Sequence, residues 1–363
     1  MGSILNFIFS GYDDLESGPF TNYIKHNYTY SSNPQPDKKN LLIVECVGDI
    51  NDNKNYIKVI KKATSNGIKT LICFLSDPMN DNKIDRLNKK LNGCDYLIVS
   101  SNINTRFDDI ITFDYFLEES TFDSYEHFFK KRKNDLGYIS QDVSLDELNG
   151  FRKHKFLSFN RNLEKQHRLS LLHLYLSKLK DDSLFSFLFI EDKNTPIYDK
   201  TYYNENWFEN LPIELDTHST NITSFKTSNT FRKDLFLDTC LHIVTETSFN
   251  ENELFISEKI LKPIVMYQPF VVLGPVNYLS HLRSYGFKTF GDFWDESYDS
   301  IDDPQERYLE VQKLILSLNE MSIEEMNKLY QKTKEICIFN RNIHQSMYIN
   351  SIPNILERIE NEW

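Results

Sequence analysis

Along the chain, short continuous apolar runs alternate with stretches in which apolar residues recur every three or four positions. The first kind reads as a strand buried on both faces, the second as a helix with one buried face. Residues 4–10 form a first apolar run that stops at Gly11, and a polar stretch rich in Asn, Ser and Pro fills 31–40. The run 41–46 is closed by Gly48, and 56–64 has helical spacing up to Asn66-Gly67, a helix-stop signal. Strand patterns at 69–75, 95–100 and 109–113 follow, with a helix at 84–91 that ends before Asn92-Gly93. Strands alternating with helices predict βαβ units on a parallel sheet.

A charged stretch over 120–150 ends at Asn149-Gly150, where a domain boundary is expected. A second series then begins. Strands are predicted at 155–160, 184–190, 241–245 and 269–273. Helices are predicted at 163–179, 256–266, 278–285, 304–318, 323–333 and 343–358, the last interrupted by Pro353. The expected division is 1–150, 151–340 and a C-terminal helix over 341–363 that packs back on the first domain. The fold class read from this order is α/β, with two Rossmann-like domains facing across a cleft.

Composition narrows the function. The chain has 363 residues, with 41 Lys and Arg against 53 Asp and Glu, a net charge of -12. That disfavours a DNA partner, because no chain-wide basic footprint exists. The local basic candidates are Lys38-Lys39 and Lys130-Lys-Arg-Lys133, and such runs usually form a solvated face. The five cysteines are spread singly, which suits a reducing compartment, and Cys46, Cys73 and Cys337 sit in apolar runs as small buried residues. No apolar run approaches the ~18 residues of a membrane span, and the first residues lack a signal-peptide pattern. A cytoplasmic location is expected, that of the host cell if the source is viral. No Walker A, dinucleotide glycine fingerprint or nucleophile elbow is present. The nine histidines are scattered and no D-x-D triplet occurs, so neither a metal nor another cofactor is expected.

The richest segment runs from Thr245-Glu-Thr to Pro269-Phe-Val-Val-Leu-Gly-Pro275 and contains Phe255-Ile-Ser-Glu-Lys-Ile-Leu-Lys-Pro-Ile. It reads as strand, polar loop, helix and strand. Ser257 is placed as the N-cap, with Glu258 and Lys259 in the first turn. A first-turn Glu is ordinary, since the helix dipole favours it. A first-turn Lys is opposed by the same dipole and calls for an anion. Free backbone N–H groups together with Lys259 suit a diphosphate, and Glu258 could accept ribose hydroxyls. Asn160 and Arg161 stand at the end of the 155–160 strand, where open α/β sheets bind ligands. His167 reads as a helix-surface residue. Asp295, Glu296 and Asp299 read better as a cap-and-turn network than as a sugar-binding wall, and Lys288 as an exposed strand residue or one aimed at the ligand.

This segment resembles the donor motif of the fucosyltransferase-like GT-B glycosyltransferases. Those enzymes have an acidic strand end, a loop, a Thr-Glu-Lys helix start and a Pro-Val-Val-Leu-Gly-Pro strand. Phe156-Leu-Ser-Phe-Asn-Arg-Asn162, followed by His167-Arg168, resembles the first donor motif of the same family. The segment Leu282-Arg-Ser-Tyr-Gly-Phe-Lys-Thr-Phe-Gly-Asp-Phe-Trp-Asp-Glu-Ser-Tyr-Asp299 resembles glycosyltransferase-like proteins of phages and giant viruses. The resemblance covers about 155–310, roughly half the chain. Ser257 stands where the family usually has Thr. The resemblance implies a metal-independent transferase moving a sugar from a nucleotide-diphosphate sugar to a hydroxyl of a glycan or other acceptor, with inversion. Arg168 and Lys259 would then bind the diphosphate and Glu258 the ribose, while Glu246, after the 241–245 strand, would either touch the donor sugar or stand as a solvated loop carboxylate.

An inverting transfer needs a general base, expected in the first domain at a strand end. Glu45, at the end of an apolar run where burial would raise its pKa, and Asp13, after the first strand, are the leading candidates. Asp14 and Asp77 stand at similar places. Two other functions compete: transfer of a sugar to hydroxymethylated DNA bases by a phage enzyme, and a non-catalytic protein of the same fold that only binds a nucleotide sugar.

Overall fold

The structure is a computed structural model of the chain. It describes residues 5–8, 30–31, 34–35, 37–45, 54–74, 79–102, 104–112, 143–190, 195–215, 233–250, 254–347, 357–359 and 361. Asp13, Asp14, Asp77, Cys46 and the basic run 130–133 lie outside the described residues, as does the side chain of Glu45. The fold class is α/β, with two Rossmann-like parallel sheets in two separate compact units. Met1–Tyr115 with Asn350–Trp363 makes the first unit, and Phe116–Ile349 the second.

The first unit holds strands β1 (Leu5–Ile8), β2 (Tyr30–Ser31), β3 (Lys39–Glu45), β4 (Lys69–Phe74), β5 (Tyr96–Ser100) and β6 (Ile110–Thr112). All pair in parallel, in the order β2-β1-β3-β4-β5-β6. Helices α1 (Lys54–Ser65) and α2 (Asp81–Lys90) carry the chain between neighbouring strands. Ile60, Ile84 and Leu87 on these helices pack with Leu42, Val44 and Ile72 of the sheet. That burial on top of an already apolar strand is why β3 reads as a continuous apolar run. Arg358 donates to the carbonyl of Thr112 at 3.4 Å.

Gly67 ends α1 at φ +69 with no atom near a would-be Cβ. The cost of a side chain there is therefore purely backbone strain. Gly67→Ala is expected to lower stability by about 1–2 kcal/mol in urea unfolding; an unchanged midpoint would mean that the turn relaxes freely.

In the second unit, strands β7 (His154–Asn162), β8 (Ser183–Phe189), β9 (Thr239–Thr245) and β10 (Phe270–Leu273) form a parallel sheet in the order β10-β9-β7-β8. Its helices are α3 (Gln166–Leu174), α4 (Lys233–Asp238), α5 (Glu258–Val265), α6 (Tyr278–Ser284), α7 (Pro304–Asn319) and α8 (Ile323–Met347). Every residue of β9 is buried, as befits a central strand covered on both faces.

Three expectations are corrected here. The helix expected over 163–179 begins at Gln166, and a π turn replaces its end at Tyr175–Leu179. The helices expected at 323–333 and from 343 are one helix, α8. Its middle is held because Arg341 donates to the Val265 carbonyl at 2.6 Å and Asn340 clasps the backbone of Lys288. Residues 143–150, expected in the first domain, pack on the second unit. Leu148 joins the core with Leu157 and Phe236, and Lys233 pairs with Glu147 at 2.6 Å. Among the described residues, no helix is long and apolar enough to cross a membrane.

Candidate functional site

The order β10-β9-β7-β8 places a topological switch point between β7 and β9. The chain leaves β7 toward β8 on one side, and the next strand, β9, returns on the other. Loops diverging from two adjacent strand ends leave a crevice at their carboxyl edge, the usual ligand position in open α/β sheets. A cavity of about 230 Å³ lies there. Phe159, Asn160, Arg161 and Asn162 of β7, Val244 and Thr245 of β9, and Thr247 just beyond it line the opening, with Arg168 from α3 and Glu258, Lys259 and Lys262 from α5. Ser186, Leu188 and His242 extend the wall along the sheet.

Asn160 ties the two strand ends together. It accepts from the Thr245 hydroxyl at 2.7 Å and donates to the Ser158 hydroxyl at 3.1 Å, while Ser158 donates to the Ile243 carbonyl at 2.7 Å. Arg168 is buried and reinforces the same junction. Its guanidinium donates to the carbonyls of Asn162 and Thr245, each at 3.3 Å, and of Glu246 at 2.9 Å. Its Nε is buried with no hydrogen-bond partner in the protein. Burial lowers the guanidinium pKa from its ordinary value, while the carboxylates of Glu246 and Glu258 pull it upward.

Ser257 caps α5, its Oγ accepting from the Lys259 backbone at 3.4 Å. The Lys259 ammonium donates to the hydroxyls of Thr247 and Ser257, each at 3.0 Å, and to Glu258 at 3.3 Å. For Glu258, burial opposes the charge, but Lys259 and Lys262 on either side outweigh it, so its carboxyl lies below the ordinary value. Lys262 stands four residues after Glu258 and so on the same helix face. It is buried, with its ammonium 4.9 Å from the centre of the Phe159 ring. The lining thus gathers four cationic side chains, Arg161, Arg168, Lys259 and Lys262, around one carboxylate, Glu258. Such a wall fits an anion that also carries hydroxyl groups. His242 adds no charge, since burial pushes its imidazole down to about 3.

Of the residues singled out by sequence, Asn160, Arg161, Arg168, Glu258 and Lys259 meet at this cavity. Glu246 and Ser257 do not line it. The Glu246 carboxylate is fully buried and turned into the core, where it accepts from the Ser257 hydroxyl and the Tyr278 hydroxyl, each at 2.5 Å, from the Ser257 backbone at 3.3 Å and from the Thr247 backbone at 3.2 Å. A carboxylate with four protein donors has no lone pair left for a sugar. His167 is also buried rather than exposed: it stacks on Phe249 at 4.8 Å and bonds the Glu246 carbonyl at 2.9 Å. Burial beside Arg168 holds its imidazole well below the ordinary pKa.

Lys288 lies over the Phe339 ring of α8 at 4.3 Å, away from the cavity lining. Glu296 and Asp299 form the cap-and-turn network: Asp299 accepts from Leu279 and Ser280 at the start of α6, and Glu296 from Thr289 and Phe290. Lys262 and His242 were missed. A single Lys among Ile260, Leu261, Pro263, Ile264 and Val265, one turn beyond Glu258, is the signal that could have found Lys262.

No protein-family model matches the chain, and no curated protein matches it. Among solved structures it is similar to an alpha1,3-fucosyltransferase with GDP-fucose, at 10% identity over 94% of this chain and 90% of that one, with a TM-score of 0.40. It is also similar to the N-terminal domain of trehalose-6-phosphate phosphatase from Candida albicans, at 11% identity over 93% of this chain and 72% of that one, with a TM-score of 0.39. A third is the wall teichoic acid polymerase TagF, at 13% identity over 95% of this chain and 89% of that one, with a TM-score of 0.30. Likenesses this distant leave the reading of the site to its own geometry.

Proposed function

We propose that the chain is a fucosyltransferase-like GT-B glycosyltransferase that moves a sugar from a nucleotide-diphosphate sugar to a hydroxyl of a glycan or other acceptor, with inversion and without a metal. One observation carries this reading: the switch-point cavity of the second unit collects four cations and a single carboxylate beside the first turn of α5. In the reaction the nucleoside diphosphate leaves with growing negative charge on its phosphate oxygens. Donors already aimed at that charge stabilise the transition state without reorganising. Arg168 and Lys259 are assigned that role, at the positive end of the α5 dipole. The chain's own cations supply the charge that a divalent metal supplies in other transferases. Glu258, kept charged by its two lysine neighbours, is assigned the ribose hydroxyls.

The test is a thermal-shift and calorimetry panel of nucleoside diphosphates, the matching nucleosides and inorganic pyrophosphate, in chelator-containing buffer. A diphosphate at 100 times its dissociation constant adds about 2.7 kcal/mol of stability. Lys259→Ala is expected to cost diphosphates and pyrophosphate about tenfold or more in affinity and nucleosides little, since only the former lose a charge-assisted bond. An equal loss for both would assign Lys259 a structural role. No binding by any member of the panel would sink the functional reading.

A further inference from the structure

Glu246 sits behind the cavity, yet hydrogen bonds connect it to both cations assigned to the diphosphate. The Ser257 hydroxyl has one proton, and it is given to Glu246 Oε2 at 2.5 Å, within the range of a charge-assisted O–H···O bond. With its proton fixed there, Ser257 Oγ can only accept on its other side, and it accepts from Lys259 Nζ at 3.0 Å and from the Lys259 backbone at 3.4 Å. Two backbone N–H groups keep the carboxylate from swinging, that of Ser257 on Oε1 and that of Thr247 on Oε2, and the Tyr278 hydroxyl adds one further bond to Oε1. Through its main chain the same residue accepts from the Arg168 guanidinium at 2.9 Å.

We propose that Glu246 is a positioning residue which, by fixing the direction of the Ser257 hydroxyl, aims the Lys259 ammonium at the bound anion. The inference rests on the reading of Lys259 as a phosphate ligand. In Glu246→Gln, an amide NH₂ in place of Oε2 faces Ser257 Oγ and turns its proton toward Lys259. With the amide reversed, the NH₂ instead meets the Ser257 backbone N–H. Either orientation sets a donor against a donor; the reversed one keeps a carbonyl on Ser257 Oγ, but an uncharged one, so the charge-assisted hold that aims Lys259 is lost in both. Ser257→Ala removes the same hold one step later, and Ser257→Thr keeps a hydroxyl in place.

The experiment measures pyrophosphate affinity and melting temperature for Glu246→Gln, Ser257→Ala, Ser257→Thr, Lys259→Ala and Tyr278→Phe. Glu246→Gln and Ser257→Ala are each expected to weaken pyrophosphate about tenfold, the loss of one hydrogen bond to a charged group. Their double variant should lose little more, because both break one chain. Ser257→Thr should bind as the parent does. Tyr278→Phe removes a bond to the same carboxylate that leads nowhere near Lys259. It should lower the melting temperature while leaving affinity within about twofold. If Ser257→Ala and Glu246→Gln lower only the melting temperature, as Tyr278→Phe does, Glu246 is a strut and the inference is overturned. If Lys259→Ala itself leaves pyrophosphate binding intact, it is the phosphate reading that falls, and the inference with it.

Discussion

Arg168→Met is expected to weaken pyrophosphate binding about a hundredfold and to lower stability by about 3–5 kcal/mol. Both losses follow from its place in the second sheet. The guanidinium bridges the last carbonyls of β7 and β9 and the carbonyl of Glu246, so it holds together the two strand ends that define the cavity. Methionine fills a similar volume but leaves those carbonyls without their donor. It also removes a buried cation that the Glu246 and Glu258 carboxylates attract, although Glu258 keeps Lys259 and Lys262, and taking one partner from a buried charge set costs about 3–5 kcal/mol. On the ligand side, Arg168 lines the cavity, its five N–H bonds exceed its three carbonyl contacts, and its buried Nε has no protein partner. Two charge-assisted bonds to phosphate, at about 1.5 kcal/mol each, give the hundredfold figure. Arg168→Lys separates the roles. It keeps a charge but cannot span three carbonyls in a plane, so it should recover part of the affinity and little of the stability. A folded Arg168→Met protein that binds pyrophosphate within about twofold of the parent would reduce Arg168 to a clamp between strands.

The same residues show what a sequence discloses and what it hides. Strands β3, β4, β5, β9 and β10 could be located within one or two residues, because a parallel strand covered on both faces has no polar side to interrupt its apolar run. The helix stops at Gly67 and Gly93 were legible because both need a left-handed backbone. Glu258 and Lys259 were legible because a first-turn lysine works against the helix dipole. The direction of Glu246 was not, since a carboxylate after a strand looks the same whether it points to solvent, to a ligand or to Ser257 and Tyr278. His167 misled for a related reason: an imidazole within a polar stretch reads as exposed until Phe249 is seen stacked on it. The continuity of α8 depends on Arg341 and Asn340 bonding to residues more than fifty positions away. No local pattern carries that.

On the acceptor side, the expected result is a loss of turnover without a loss of donor binding. A general base acts on the acceptor hydroxyl as the bond to the sugar forms, and its removal typically costs about 10²–10⁴-fold. In the first sheet, the order β2-β1-β3-β4-β5-β6 puts a switch point between β1 and β3. Ligands of open α/β sheets lie at the carboxyl ends of such a strand pair. Glu45 is the last residue of β3, in register with Cys73 of β4 and directly after the fully buried Ile43 and Val44. Asp13 follows β1 in sequence by five positions. Glu45 therefore stands by its strand position at the edge where the proposed transfer would hold an acceptor. Glu45→Gln is expected to lower the transfer rate by about 10²–10⁴-fold, with pyrophosphate affinity and melting temperature close to the parent's. Asp13→Asn is the second candidate and is measured in the same way. The amide keeps size and hydrogen bonding but cannot take the proton, so a large rate effect with unchanged donor affinity identifies the base. If both variants transfer within a fewfold of the parent rate, neither carboxylate takes the proton, and the assignment of the base to the β1–β3 edge is wrong.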